Sequence, residues 1–104
     1  MTAKEYLEKT ATTITPATAA GINTVLHFDF GGNQQYSISA HDGHGKFQDG
    51  LHGEAECVIK ANADDFLKIA HGEMNPMMAV MMGKLKLSNP GAMMKYAKML
   101  GIAP

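Results

Sequence analysis

One cysteine, Cys57, in 104 residues leaves no partner for an internal disulfide and no CxxC metal site. It lies in an alternating run, where a small buried hydrophobe is the expected role. No stretch approaches the roughly 20 apolar residues that span a bilayer, and the opening MTAKEYLEKT lacks the unbroken apolar core of a secretory signal. The closing Ile102-Ala103-Pro104 carries no peroxisomal tripeptide, so a cytoplasmic location is expected. An excess of either charge is missing too. Nine basic and ten acidic residues along the chain leave a net charge of −1 and no basic face of the kind a phosphate backbone requires, so nucleic acid is not an expected partner. Also absent are G-x-S-x-G, H-E-x-x-H and a phosphate-cradling glycine loop. His41 and His44 form an H-x-x-H pair, but on a turn that spacing does not aim both imidazoles at one point. The adjacent acids Asp64-Asp65 suit the first turn of a helix, where capping and the dipole favour them. No nucleophile, base, metal site or cofactor site is expected, and the chain reads as a protein without catalytic residues.

What is present is enough to fold. Hydrophobic residues make up 45% of the chain and charged ones 18%, far from the composition of a disordered segment, and the length has room for one core over residues 1–104. Thr2 and Glu5 have capping-box spacing ahead of a short helix, and a further helical turn begins at Pro16. From Asn23 the period changes to two: Leu26, Phe28 and Phe30 alternate with His27 and Asp29. Gly31-Gly32-Asn33 breaks the run, and Tyr36, Ile38 and Ala40 alternate with Ser37 and Ser39. Asp42-Gly43 predicts a second tight turn into a strand around Lys46 to Gln48. Ala55, Cys57 and Ile59 alternate again. The expected sheet is antiparallel, with one wet and one greasy face. Asn62 and then Asn75-Pro76 predict the starts of two helices, ended by Gly72 and Gly83. Leu85 and Leu87 alternate with Lys84 and Lys86, and Asn89-Pro90 opens a last helix to about Leu100. The fold class is α+β.

All methionines except the initiator fall between positions 74 and 99. On a helix over 76–82, Met77, Val80 and Met81 share one face while Met78 and Met82 cover much of the rest, a pattern ill suited to plain water. Methionine fills irregular gaps in a core, but its flexibility also suits a cavity whose shape varies with its contents. Moving an acyl chain of about sixteen carbons out of water gains roughly 10 to 13 kcal/mol at about 0.8 kcal/mol per methylene. Association costs on the order of 4 to 15 kcal/mol, so lipid binding is feasible without a charged contact.

The run AECVIKANADDFLKIAHGEMNPMMAVMMGKLKLSNPGAMMKYAKMLG, Ala55 to Gly101, resembles the second half of a sterol carrier protein 2 domain. It carries an acid before a strand (Glu56), a D-F-L helix (Asp65-Phe66-Leu67), a G-x-x-N-P turn (Gly72 to Pro76), G-K-L-K-L (Gly83 to Leu87) and a closing helix (Pro90 to Leu100). The resemblance implies a five-stranded, mainly antiparallel sheet with helices packed on one face, enclosing an apolar tunnel. It also implies a role in binding and transferring fatty acids, fatty acyl-CoA, phospholipids or sterol-like lipids, without catalysis. Val80-Met81-Met82 stands where aromatic residues are often seen in the family, so a sterol is not assumed.

The expected ligand-binding residues are Leu26, Phe28, Ile38 and Ile59 on the sheet, facing Met77, Met78, Met81, Met82, Met93, Ala97 and Leu100 across the tunnel. The expected partner is a small hydrophobic ligand, with transient membrane contact. The rival reading is an accessory module whose apolar helices dock a partner protein or a second copy. A small enzyme acting on a hydrophobic substrate would need a perturbed titratable group beside the cavity.

Overall fold

The structure is a computed structural model that describes residues 1–19 and 21–100; the side chains of Thr18, Ala97, Lys98 and Leu100 lie outside the described set. Helix α1 (Ala3–Thr13) begins on the expected capping box. The Glu5 N–H donates to Thr2 Oγ1 at 3.1 Å, and the Thr2 N–H donates to the Glu5 carboxylate at 2.8 Å. A four-residue helix α2 (Pro16–Ala19) leads into β1 (Asn23–Asp29), β2 (Gln35–His41), β3 (His44–Asp49) and β4 (Cys57–Ala61). Then come α3 (Ala63–Ala70), α4 (Pro76–Met81), β5 (Leu85–Leu87) and α5 (Pro90–Leu100).

The five strands form one sheet in the order β3-β2-β1-β4-β5. Three of its four pairings are antiparallel, but β1 and β4 run parallel, with Leu26 opposite Cys57 and Phe28 opposite Ile59. The sheet is thus five-stranded and mainly antiparallel, as the resemblance implies, and the parallel β1–β4 pair is the exception that alternation alone does not reveal. Alternation of apolar and polar residues has the same period in both arrangements, so it reports which face a strand buries and not its direction. The direction is set by residues 50–56, which carry the chain back from the edge strand β3 over β2 and β1. The Ser37 hydroxyl donates to the Gly50 carbonyl at 2.7 Å and accepts the His52 N–H at 2.9 Å. His27 Nε2–H donates to the His52 carbonyl at 2.9 Å, and the Glu56 N–H donates to the Val25 carbonyl at 2.8 Å. Ser37 and His27 are therefore buried beneath this crossing, and the outer face is wet only in part.

The inner face carries Leu26 and Phe28 from β1, Tyr36, Ile38 and Ala40 from β2, Cys57 and Ile59 from β4, and Leu85 from β5, all buried. Cys57 thus has the buried hydrophobic role expected of it. Phe66 of α3 meets Phe28 and Tyr6 edge-on at 5.7 and 5.8 Å between ring centroids, and Phe30 at 5.0 Å. Burying a ring of this size stabilises the fold by about 2 to 3 kcal/mol. Two glycines let the first helices lie close on the β2–β3 hairpin. Asp42 and Gly43 both have positive φ (52° and 83°), as a tight hairpin turn of two residues requires, and a Cβ on Gly43 would also strike Pro16. A Cβ on Gly45 would meet the Ala11 carbonyl oxygen and stand 2.8 Å from Ile14.

Candidate functional site

The sheet supplies a floor of Leu26, Phe28, Ile38 and Ile59, each fully buried. Its β4 side is covered by α5, whose Ala92, Met93, Tyr96 and Met99 join the same core, while α1 lies on the β2–β3 side and Phe66 of α3 meets Phe28. Met93 lies on the buried side of an ordinary amphipathic helix. The other two expected residues of α5, Ala97 and Leu100, have side chains outside the described set.

Polar contacts at its start and along its outer edge hold α5 in place. The Val58 N–H donates to Ser88 Oγ at 2.8 Å and the Ser88 N–H returns to the Val58 carbonyl at 3.1 Å, fixing the approach to the helix. Asn89 caps it, accepting the Ala92 N–H at 3.2 Å, and its amide donates to the Glu56 carbonyl at 3.4 Å. Further along, the buried Tyr96 ring sends its hydroxyl out to Glu56 Oε1 at 2.8 Å, and the same oxygen accepts the Thr24 hydroxyl at 2.8 Å. One carboxylate thus joins β1, the chain entering β4, and α5. These two hydroxyl donors, Thr24 first and then Tyr96, hold the Glu56 carboxyl below the ordinary carboxylate range, with the Lys95 charge adding to the effect.

Helix α4 faces the other way. Asn75 Oδ1 accepts the N–H groups of Met77 and Met78 at 2.8 and 3.3 Å, and Pro76 occupies the first helical position, as the sequence predicts. At about 100° per residue, Val80, Met77, Met81, Met78 and Met82 occupy successive positions around roughly 200° of the helix, and Ala79 occupies the opposite side. The structure follows that wheel: Ala79 is fully buried, whereas Met81 is 85% and Met77 67% exposed, and Val80, Met78 and Met82 are exposed as well. The expectation that Met77, Met78, Met81 and Met82 face the sheet across a tunnel is corrected here. Ala79 is the side of α4 turned to the core, and a methyl group there lets the backbone lie close to the sheet while the long side chains point outward.

Just past α4, Gly83, Lys84 and Lys86 form one wall of an open cleft of about 580 Å³, with Lys60, Asn62, Asp29 and Asp65 on the others. Lys60 and Lys86 sit directly opposite each other on β4 and β5. A second open cleft of about 380 Å³ lies at the far end of β1, between Asn23 to Val25, His41 and Glu54 to Glu56. The sheet floor does not line either of them. His41 hydrogen-bonds Asn23 at 3.4 Å and His71 packs edge-on against Tyr6, and among the described residues no group of three or more His, Cys, Asp or Glu is arranged to hold a metal ion.

The sequence patterns singled out neither Thr24, Tyr96 and the Glu56 side chain as a cluster nor the three lysines. For the first, the signal was a tyrosine at an otherwise apolar position of the last helix. For the second, it was the alternation of lysines along β5.

The model of the SCP-2 sterol transfer family matches residues 3–101. The chain belongs to this family. Comparison with curated proteins found no match. Among solved structures, this family member is similar to palmitated SCP2L2 from Aedes aegypti, with a TM-score of 0.73 at 15% identity over 96% of this chain and 95% of that one. UbiJ-SCP2, a ubiquinone synthesis protein, matches with a TM-score of 0.67 at 14% identity over 97% and 91%. The inverting sec-alkylsulfatase Pisa1 from Pseudomonas sp. matches with a TM-score of 0.80 at 19% identity, over 98% of this chain but 16% of its own length. At these identities the likeness is one of fold, and the chain spans about a sixth of the sulfatase.

Proposed function

We propose that this family member binds one hydrophobic ligand, a fatty acid, fatty acyl-CoA, phospholipid or sterol-like lipid, in an apolar tunnel, and carries it through the cytoplasm without transforming it. The observation that carries this reading is a fully buried inner sheet face of Leu26, Phe28, Ile38 and Ile59 whose β4 side is covered by α5, a helix whose outer edge is held by a few polar contacts. Swinging α5 away would expose the β4 side of the floor while leaving the sheet paired, so ligand entry costs far less than unfolding. In this reading Met93, Ala97 and Leu100 form the roof over the acyl chain. The methionines of α4, Met77, Met78, Met81 and Met82, touch the lipid on its way in or out.

Native mass spectrometry of the purified protein, followed by solvent extraction, tests this. A stoichiometric lipid, or loading by added fatty acid, is the expected result. A clean apo mass that resists loading overturns it. The second reading is an accessory module, favoured by the outward methionines of α4: their docking on another protein would appear as an oligomer or complex containing no extractable lipid.

A further inference from the structure

The whole-chain charge balance conceals a segregation. All ten acidic residues lie at or before Glu73; from Met74 onward there are eight methionines, four lysines and no acid. The structure gives that segment a defined surface. Val80, Met77, Met81, Met78 and Met82 form a continuous exposed apolar arc on α4, and the chain passes directly from Met82 through Gly83 to Lys84 and Lys86, which share a cleft with Lys60. The carboxylates in that cleft are Asp29, which accepts the Gly31 N–H at 2.9 Å, and Asp65 in the first turn of α3. None of the three lysines takes part in the ion pair found among the described residues, which joins Lys4 and Asp49 at the other end of the sheet.

From this arrangement we infer that α4 and the adjoining lysines are a docking face for an anionic lipid bilayer. Two features favour that occupant over a second copy of the chain. The three lysines of the cleft outnumber its two carboxylates, so this face carries a net positive charge, which repels the same face of a second copy and attracts anionic headgroups. Methionine side chains conform to a fluid acyl region without needing a complementary shape, and lysine stems reach along apolar surface while their ammonium groups stay at headgroup level. α4 has six residues, and no helix among the described residues is long and apolar enough to cross a membrane, so it lies in the interface. The inference goes beyond lipid carriage: it names the surface from which a carrier would load.

The test uses the intact protein and sucrose-loaded vesicles of phosphatidylcholine, either alone or with about one-third phosphatidylserine. Co-sedimentation with the serine-containing vesicles is expected, weakening as salt is raised. Lys84→Gln and Lys86→Gln should each reduce it about fivefold. Met77→Ser/Met81→Ser should reduce it at least tenfold. Both α4 substitutions are at exposed positions, so circular dichroism and the thermal midpoint should not change. Brief peroxide treatment adds a readout on the wild type: the exposed Met77 and Met81 should oxidise in solution and be protected by serine-containing vesicles, with the buried Met93 as internal control. Absence of vesicle binding, equal binding to both vesicle types, or protection of Met81 by raised protein concentration alone would each overturn the inference, the last in favour of a second copy. Fatty-acid loading is measured separately in vesicle-free solution. If loading holds and vesicle binding fails, only the docking face is lost; the converse removes only the carrier reading.

Discussion

Among single residues, Glu56 has the most to explain, because an exposed carboxylate would ordinarily contribute little. Its value here is positional: one oxygen accepts hydroxyls from β1 and α5, and its backbone carbonyl accepts from Asn89. The sign of its pH effect follows from a folded-state pKa held below the unfolded value. Stability from this group is fully present above the ordinary carboxylate pKa of 4.5 and is lost as pH falls through the lower folded value. Glu56→Ala is therefore expected to lower the urea midpoint at neutral pH, with the gap to wild type narrowing below about pH 4.5. Glu56→Gln, which keeps an acceptor, should lose the pH dependence and retain most of the midpoint. Gly45 makes the opposite kind of claim, since its importance lies in having no side chain. Gly45→Ala should destabilise by about 1 to 3 kcal/mol, because α1 must move off the hairpin to admit a methyl group beside Ala11 and Ile14. A denaturation curve with an unchanged midpoint would refute the close packing. The sequence marked Glu56 only as the acid before a strand in a family pattern. Its partners are 32 and 40 residues away, beyond any local periodicity.

For the elements, the sequence was legible wherever the chemistry is local. The three asparagine caps, the Thr2–Glu5 box, the Asp42-Gly43 turn and the sides of β1, β2 and β4 that face the core all follow from spacing within a few residues. What α4 does with its methionines does not. A helix apolar on most of its circumference has no unique inward side, and a single alanine settled the matter because the available space suits a methyl group. Asn75→Ala tests how far this short helix depends on its cap. The two amides it satisfies would lose their acceptor, at a cost of about 1 kcal/mol. Because α4 contributes little beyond Ala79 to the core, that loss should appear as faster hydrogen exchange in residues 76–82, while exchange in β1 and β2 changes far less. Uniform acceleration across the sheet would mean that α4 is more deeply integrated than its exposure suggests.

At the scale of the whole molecule, the buried floor and the exposed methionine arc are separate surfaces, and they make separable predictions. A ligand that binds only the folded state stabilises it by about 2.7 kcal/mol when present at 100 times its dissociation constant. For a chain of this length that raises the thermal midpoint by on the order of 10 °C. If the acyl chain lies against Leu26, Phe28, Ile38 and Ile59, the rise produced by a saturating fatty acid should persist in Met77→Ser/Met81→Ser, whose substitutions leave the floor untouched. It should shrink in Ile59→Ala, once that variant's own destabilisation, about 2 to 5 kcal/mol, has been subtracted. The reverse pattern would place the ligand on α4. A surface-bound lipid gains little by opening α5, so weakening the roof through Glu56→Ala would then leave the rate of uptake unchanged. An interior ligand must wait for α5 to lift, and the same substitution should speed its entry while lowering the stability of the apo protein.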